Sequence, residues 1–221
     1  ENTVVVFCAD HGEMLGERGM WFKQSFFEWS ARVPLTVSAP ARYAPRRVSE
    51  CVSLVDLLPT LVGIGSGEVK LPCDGESLEA ALDGRPSRDL VICDYSGIGP
   101  CVPTRMVRQG RYKLMYTHGH PDLLFDLETD PNELHNLAAL PEHQEVVSRL
   151  SAEVDARWDL DAFDAAVRQS QACRWVVYEA LRQGGYYPWD YQPLQQASER
   201  FMRNHMDLNQ LEEAKRYPRG D

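Results

Sequence analysis

Thr3-Val4-Val5-Val6-Phe7-Cys8 is an apolar, β-branched run without polar alternation, the pattern of a parallel strand buried on both faces. Val33-Pro34-Leu35-Thr36-Val37-Ser38 predicts one further strand of the same kind. Between them, Ser25-Phe26-Phe27-Glu28-Trp29-Ser30-Ala31-Arg32 predicts a short aromatic helical turn stopped by Pro34, with its rings in the core. Ser53-Leu54-Val55-Asp56 is a helix-entry signature, and Leu54, Leu57, Leu58 and Leu61 recur at helical spacing until Gly63 and Gly65. This helix is expected to cover the sheet. A short helix follows from Ser77 to Leu82 and ends at Asp83-Gly84. Because the chain enters a core-type strand next to Glu1 and offers one parallel partner, it reads as the C-terminal part of a larger protein.

After Pro86 the pattern changes. Leu90-Val91-Ile92-Cys93, Arg105-Met106-Val107-Arg108, Tyr112-Lys113-Leu114-Met115-Tyr116 and Leu123-Leu124-Phe125-Asp126-Leu127 are short runs separated by turn residues, notably Gln109-Gly110 and Gly119 with Pro121. They predict a small antiparallel sheet. Glu128 to Glu133 is a turn, and Pro141 opens an amphipathic helix through Val146, Leu150, Val154 and Trp158. A second helix is expected from Gln171 to Leu181, with a break at Gly184-Gly185. The aromatic, then charged, remainder cannot form a core alone and must lie on another surface. The predicted divisions are therefore 1–88, an α/β core portion; 89–140, a small β subdomain; 141–185, a helical segment; and 186–221, a tail for packing or oligomerisation.

A formal net charge of −10 argues against general affinity for nucleic acid or an anionic membrane, and no apolar stretch reaches the ~18 residues of a membrane span. Six cysteines, at 8, 51, 73, 93, 101 and 173, contain no Cys-x-x-Cys pair and read as reduced thiols in a cytoplasmic protein.

The candidate chemistry follows the first strand. Asp10 and His11 stand at a strand's carboxyl end, where ligands collect in open α/β sheets, and pair a carboxylate with an imidazole, suiting a divalent cation. Glycines at 12, 16 and 19 let the backbone turn tightly, which would return the Lys23 ammonium over the same site. Glu13, Glu17 and Arg18 read as residues that hold this loop.

The segment from Asn2 to Gly19 resembles the second metal-ligand segment of the sulfatases, within the alkaline phosphatase superfamily. The likeness extends through Ser30-Ala31-Arg32-Val33-Pro34-Leu35, Asp56-Leu57-Leu58-Pro59-Thr60-Leu61, Leu124 to Leu127, Asp130-Pro131, Glu133 and Asn136-Leu137. Ala162-Phe163-Asp164, Arg174 to Tyr178, Tyr187-Pro188-Trp189-Asp190 and Arg203-Asn204-His205-Met206 narrow it to the choline sulfatases. The resemblance implies the C-terminal part of an alkaline-phosphatase-like α/β/α sandwich, with a small antiparallel sheet, helices and an extended C-terminal tail. It also implies hydrolysis of a sulfate monoester, choline-O-sulfate foremost, by a formylglycine hydrate made from a cysteine upstream. Calcium, or alternatively manganese, would be held in part by Asp10 and His11, with Lys23 contacting the sulfate and the leaving oxygen. In such enzymes the tail crosses to a neighbouring subunit, which implies a homo-oligomer, a dimer or tetramer.

Cys101-Val102-Pro103-Thr104-Arg105 spells Cys-x-Pro-x-Arg, the pattern recognised by formylglycine-generating machinery. Here strand-like residues follow it instead of a helix, so Cys101 reads as an unmodified thiol. Choline's quaternary ammonium calls for aromatic faces and carboxylates, and the resemblance points to Asp94, beside Tyr95, and to Asp207. Trp189 and Tyr191 read as packing anchors, and His118 and His120 as part of a turn. The alternatives are a phosphonate monoester or phosphodiester hydrolase of the same superfamily, and a fragment or oligomerisation module inactive by itself.

Overall fold

The computed structural model describes residues 2–70, 72–96, 102–117, 119–157 and 159–183. Its first two strands, β1 (Val5–Cys8) and β2 (Leu35–Ser38), pair with Val5 opposite Ser38 and Cys8 opposite Leu35. The pairing is antiparallel, which corrects the expectation of parallel strands: an apolar run reports burial and carries no record of strand direction. The segment between them is a tight loop followed by the single turn of α1 (Glu28–Ala31), which returns the chain beside β1 in the opposite sense. Burial on both faces is also corrected, since Val5 is 57% and Phe7 64% exposed.

The next helix begins with a 3-10 turn, Leu54–Asp56, and continues as α2 (Leu57–Ile64). Its start is fixed as the sequence implies, with the Asp56 carboxylate accepting the Ser53 N–H at 2.9 Å. Asp56 is buried and also takes the Glu76 N–H at 2.9 Å and the Arg88 guanidinium at 2.8 Å. The Thr60 hydroxyl accepts the Leu78 N–H at 2.8 Å, joining α2 to the segment leading into α3 (Glu79–Asp83). Leu58 and Leu61, expected to cover the sheet, are 56% and 48% exposed.

Strands β3 (Val91–Tyr95), β4 (Thr104–Gln109), β5 (Tyr112–Thr117) and β6 (Leu123–Asp126) form the expected antiparallel sheet in sequence order. Gly110 opens the two-residue β4–β5 turn at φ 54°, a left-handed conformation that glycine adopts without a Cβ clash. Alternation along the strands separates two apolar faces. Leu90, Val107, Leu114 and Leu124 pack with Leu150 and Val154 of α4 (Gln144–Asp155). Met106, Met115 and Phe125 pack with Phe26 and Phe27, which lead into α1. The small sheet is therefore buried on both sides, and one side backs onto the segment after the Asp10-His11 loop.

Pro141 opens a 3-10 turn into α4 as expected, but the helix ends at Asp155, short of Trp158, which lies outside the described residues. The last helix, α5 (Leu160–Arg182), begins eleven residues before the predicted Gln171, because no Gly or Pro interrupts the intervening sequence. Two compact units divide between Asp164 and Ala165. The Gly184-Gly185 break and the tail 186–221, with Trp189, Tyr191 and Asp207, lie outside the described residues. Among the described residues, no helix is long and apolar enough to cross a membrane.

Candidate functional site

The Asp10-His11 loop leaves β1 and is closed by its own backbone. Gly16 donates to the Met20 carbonyl at 2.8 Å and Glu17 to the Met14 carbonyl at 2.9 Å, over a fully buried Met14. Arg18 then ties the loop to the small sheet. Its guanidinium lies 4.1 Å from the centre of the Phe27 ring and donates to the carbonyls of Asn132, at 2.8 Å, and Glu133. The reading of Arg18 as a loop-holding residue agrees with these contacts.

Gly12 is dictated by close approach. Its N–H donates to the Ser30 carbonyl at 2.8 Å, and a Cβ here would stand 2.0 Å from the Trp29 carbonyl oxygen. The α1 turn thus presses directly on the residue after His11. Ser30 is buried, and its hydroxyl donates to the Lys23 carbonyl, which also accepts the Ser25 N–H. One turn of helix therefore holds the loop at both residue 12 and residue 23.

The structure brings Asp10, His11 and Lys23 together. His11 Nδ1 lies 2.8 Å from the Gly12 carbonyl oxygen. A carbonyl can only accept, so Nδ1 donates to it, and a lysine ammonium can only donate, so Nε2 accepts from Lys23 through its bare lone pair. Nε2 is 3.2 Å from Asp10 Oδ2 and 2.8 Å from Lys23 Nζ, and the Asp10 carboxylate is held by the His11 N–H at 3.0 Å. One carboxylate and one bare imidazole nitrogen facing each other are the donor chemistry of a divalent cation, and the pair fits such an ion. It is a partial set: among the described residues, no three His, Cys, Asp or Glu side chains gather as a metal site.

Behind α1 lies a buried ion cluster that the sequence reading did not find. Lys113 on β5 is fully buried, with Nζ 2.9 Å from Glu28 Oε1 and 2.9 Å from Glu133 Oε1. Glu133 Oε2 accepts the Glu28 N–H at 2.7 Å, and Arg108 pairs with Glu28 at 3.2 Å. The cluster fixes the first residue of α1, and hence the turn that presses on Gly12. Its signal was a lysine among apolar neighbours in Tyr112-Lys113-Leu114-Met115. Cross-strand register puts Lys113 and Arg108 on the sheet face of Met106, Met115 and Phe125, the face toward α1.

Asp94 is exposed on β3, opposite Arg105, in the register of the other face. No hydrogen bond or ion pair among the described residues joins it to Asp10, His11 or Lys23. Cys101 and Asp207 lie outside the described residues. Arg105, the arginine of Cys-x-Pro-x-Arg, is a buried strand residue stacked 5.3 Å from the centre of the Phe163 ring, so the pattern does not run on into a helix. His135 pairs with Asp130 at 3.4 Å, and the His143 ring packs edge-on to Tyr112 at 6.1 Å.

Two family profiles match the chain: "N-sulphoglucosamine sulphohydrolase, C-terminal" over residues 16–159, and "Choline sulfatase enzyme C terminal" over 165–217. The choline-sulfatase of Rhizobium meliloti is 51% identical over 100% of this chain and 44% of that protein. Arylsulfatase K of Gallus gallus is 35% identical over 62% of this chain and 28% of its own length. The chain thus spans less than half the length of these relatives. Among solved structures, a 2-O GAG sulfatase superposes with a TM-score of 0.63 at 30% identity, over 70% of this chain and 35% of that one. The phosphonate monoester hydrolase of Agrobacterium radiobacter gives 0.60 at 29%, over 70% and 34%.

Proposed function

The chain belongs to the sulfatase family, in the alkaline phosphatase superfamily, and from that membership we propose that it forms the Asp-His and lysine side of a sulfate monoester hydrolase acting on choline-O-sulfate. The observation that carries the reading is the convergence of Asp10, His11 and Lys23 in a chain 51% identical throughout to a choline-sulfatase.

Asp10 would give a metal one carboxylate oxygen and His11 its Nε2 lone pair. The Gly12 carbonyl, by accepting the Nδ1–H hydrogen bond, orients the ring so that Nε2 is the nitrogen turned toward Asp10 and Lys23. A divalent cation bound there, calcium or alternatively manganese, would supply positive charge opposite the sulfate oxygens. Lys23 serves as the ammonium donor to the sulfate and to the leaving oxygen, where negative charge develops. The nucleophile, a formylglycine hydrate in our reading, belongs to a segment outside these 221 residues. Asp94 and Asp207 are the carboxylates assigned to the quaternary ammonium, and the tail from residue 186 is assigned to a homo-oligomer contact in a cytoplasmic enzyme.

The test is steady-state kinetics of the full-length, metal-loaded protein on choline-O-sulfate, an aryl sulfate and a phosphonate monoester. Choline-O-sulfate should have the highest kcat/KM, and Lys23→Ala should lower kcat by about 100- to 1,000-fold. A phosphonate preference would transfer the function to the second reading, which the similarity to a phosphonate monoester hydrolase supports. The 221 residues alone should release no sulfate.

A further inference from the structure

We infer that Ser30 is a positioning residue for Lys23, a reading that rests on Lys23 acting on the substrate as proposed above. Lys23 carries its ammonium on a long, flexible stem, and its side chain is exposed, so packing does little to direct it. What directs it is the backbone beneath. The Lys23 carbonyl receives two donors, the Ser25 N–H and the Ser30 hydroxyl. Ser30 is 3% exposed, and its own carbonyl receives the Gly12 N–H at 2.8 Å. A single buried residue thus sets the distance between Gly12, beside His11, and Lys23, eleven residues apart along the chain. With both ends fixed, Lys23 Nζ stands 2.8 Å from His11 Nε2.

The two attachments differ chemically. The hydroxyl holds Lys23 and disappears when residue 30 is alanine. The carbonyl holds Gly12 and remains whatever the side chain is. A substitution at Ser30 should therefore disturb the lysine and spare the metal ligands. The α1 turn itself stays anchored, since Glu28 is held from the opposite side by Lys113 and Glu133.

The experiment is a double-mutant cycle in the full-length protein, with kcat on choline-O-sulfate and bound metal measured for wild type, Ser30→Ala, Lys23→Ala and the double variant. Ser30→Ala should lower kcat by about 10- to 100-fold, the scale of a misplaced catalytic group, at unchanged metal content. Ser30→Cys, which keeps a weaker donor at similar volume, should fall between wild type and Ser30→Ala. In the double variant the serine change should add no loss beyond that of Lys23→Ala. Losses that simply multiply would overturn the inference and leave the proposed function standing, as would a wild-type kcat in Ser30→Ala. Wild-type kcat in Lys23→Ala would overturn both.

Discussion

Gly12 shows how narrowly the residues around His11 are constrained. A methyl group there would meet the Trp29 carbonyl oxygen at 2.0 Å, and that oxygen belongs to backbone that cannot swing aside. Gly12→Ala in the full-length protein should cost about 1–3 kcal/mol of stability by overpacking and weaken metal binding by about 10- to 100-fold, because it displaces the carbonyl that sets the His11 tautomer. Denaturant unfolding and metal titration measure the two effects. Unchanged metal affinity would separate Gly12 from the site. Cys51 offers a chemical check at the same scale. Burial, the leading cause, pushes its thiol up to about 11, so at pH 8 native Cys51 should alkylate far more slowly than the exposed Cys8 and Cys173. Asp10, His11 and Lys23 were legible as a group because each bears obvious chemistry. Ser30 was not, since a serine within an aromatic turn gives no sign of which carbonyl its hydroxyl will meet.

At the scale of elements, the four-stranded sheet was readable because each strand is short and bounded by turn residues. Its second buried face was not: nothing in the short runs told that Phe26 and Phe27, some eighty residues earlier, would cover one side of the sheet. That face also carries the charge cluster. Lys113→Met leaves the buried Glu133 carboxylate without its lysine and Glu28 paired with Arg108, and should destabilise the full-length protein by about 3–5 kcal/mol. A loss below about 1 kcal/mol in urea unfolding would mean that the pair is not a structural unit. At the rim of the same sheet, Arg111 donates to Asp126 at 2.7 Å, and that bond holds the Asp126 carboxyl below its usual range. A depressed folded-state pKa gives stability that is complete above the unfolded value of about 3.9 and is lost as pH falls through the folded one. Asp126→Asn should therefore flatten the acid limb of the stability profile without altering its shape above pH 5. The strand pair β1–β2 was the misreading, because pattern alone does not encode strand direction.

For the whole molecule, the family was legible because its motifs lie in one linear order, from the Asp10-His11 segment to the helical residues 162–178. What the order could not reveal is how those motifs are mechanically connected. Arg18, Ser30 and Glu133 belong to separate stretches of the resemblance and Glu28 to none, yet in the fold they join the loop, the α1 turn and the small sheet around one site. The small sheet is thus the foundation of the Asp-His loop rather than an appendage to it. The divalent cation proposed at Asp10 and His11 is tested by metal content. After dialysis against metal-free buffer, the full-length protein should retain about one divalent cation per chain by mass spectrometry, and His11→Ala clearly less. Equal metal in the two proteins, or none in the wild type after loading, would rule out Asp10 and His11 as metal ligands.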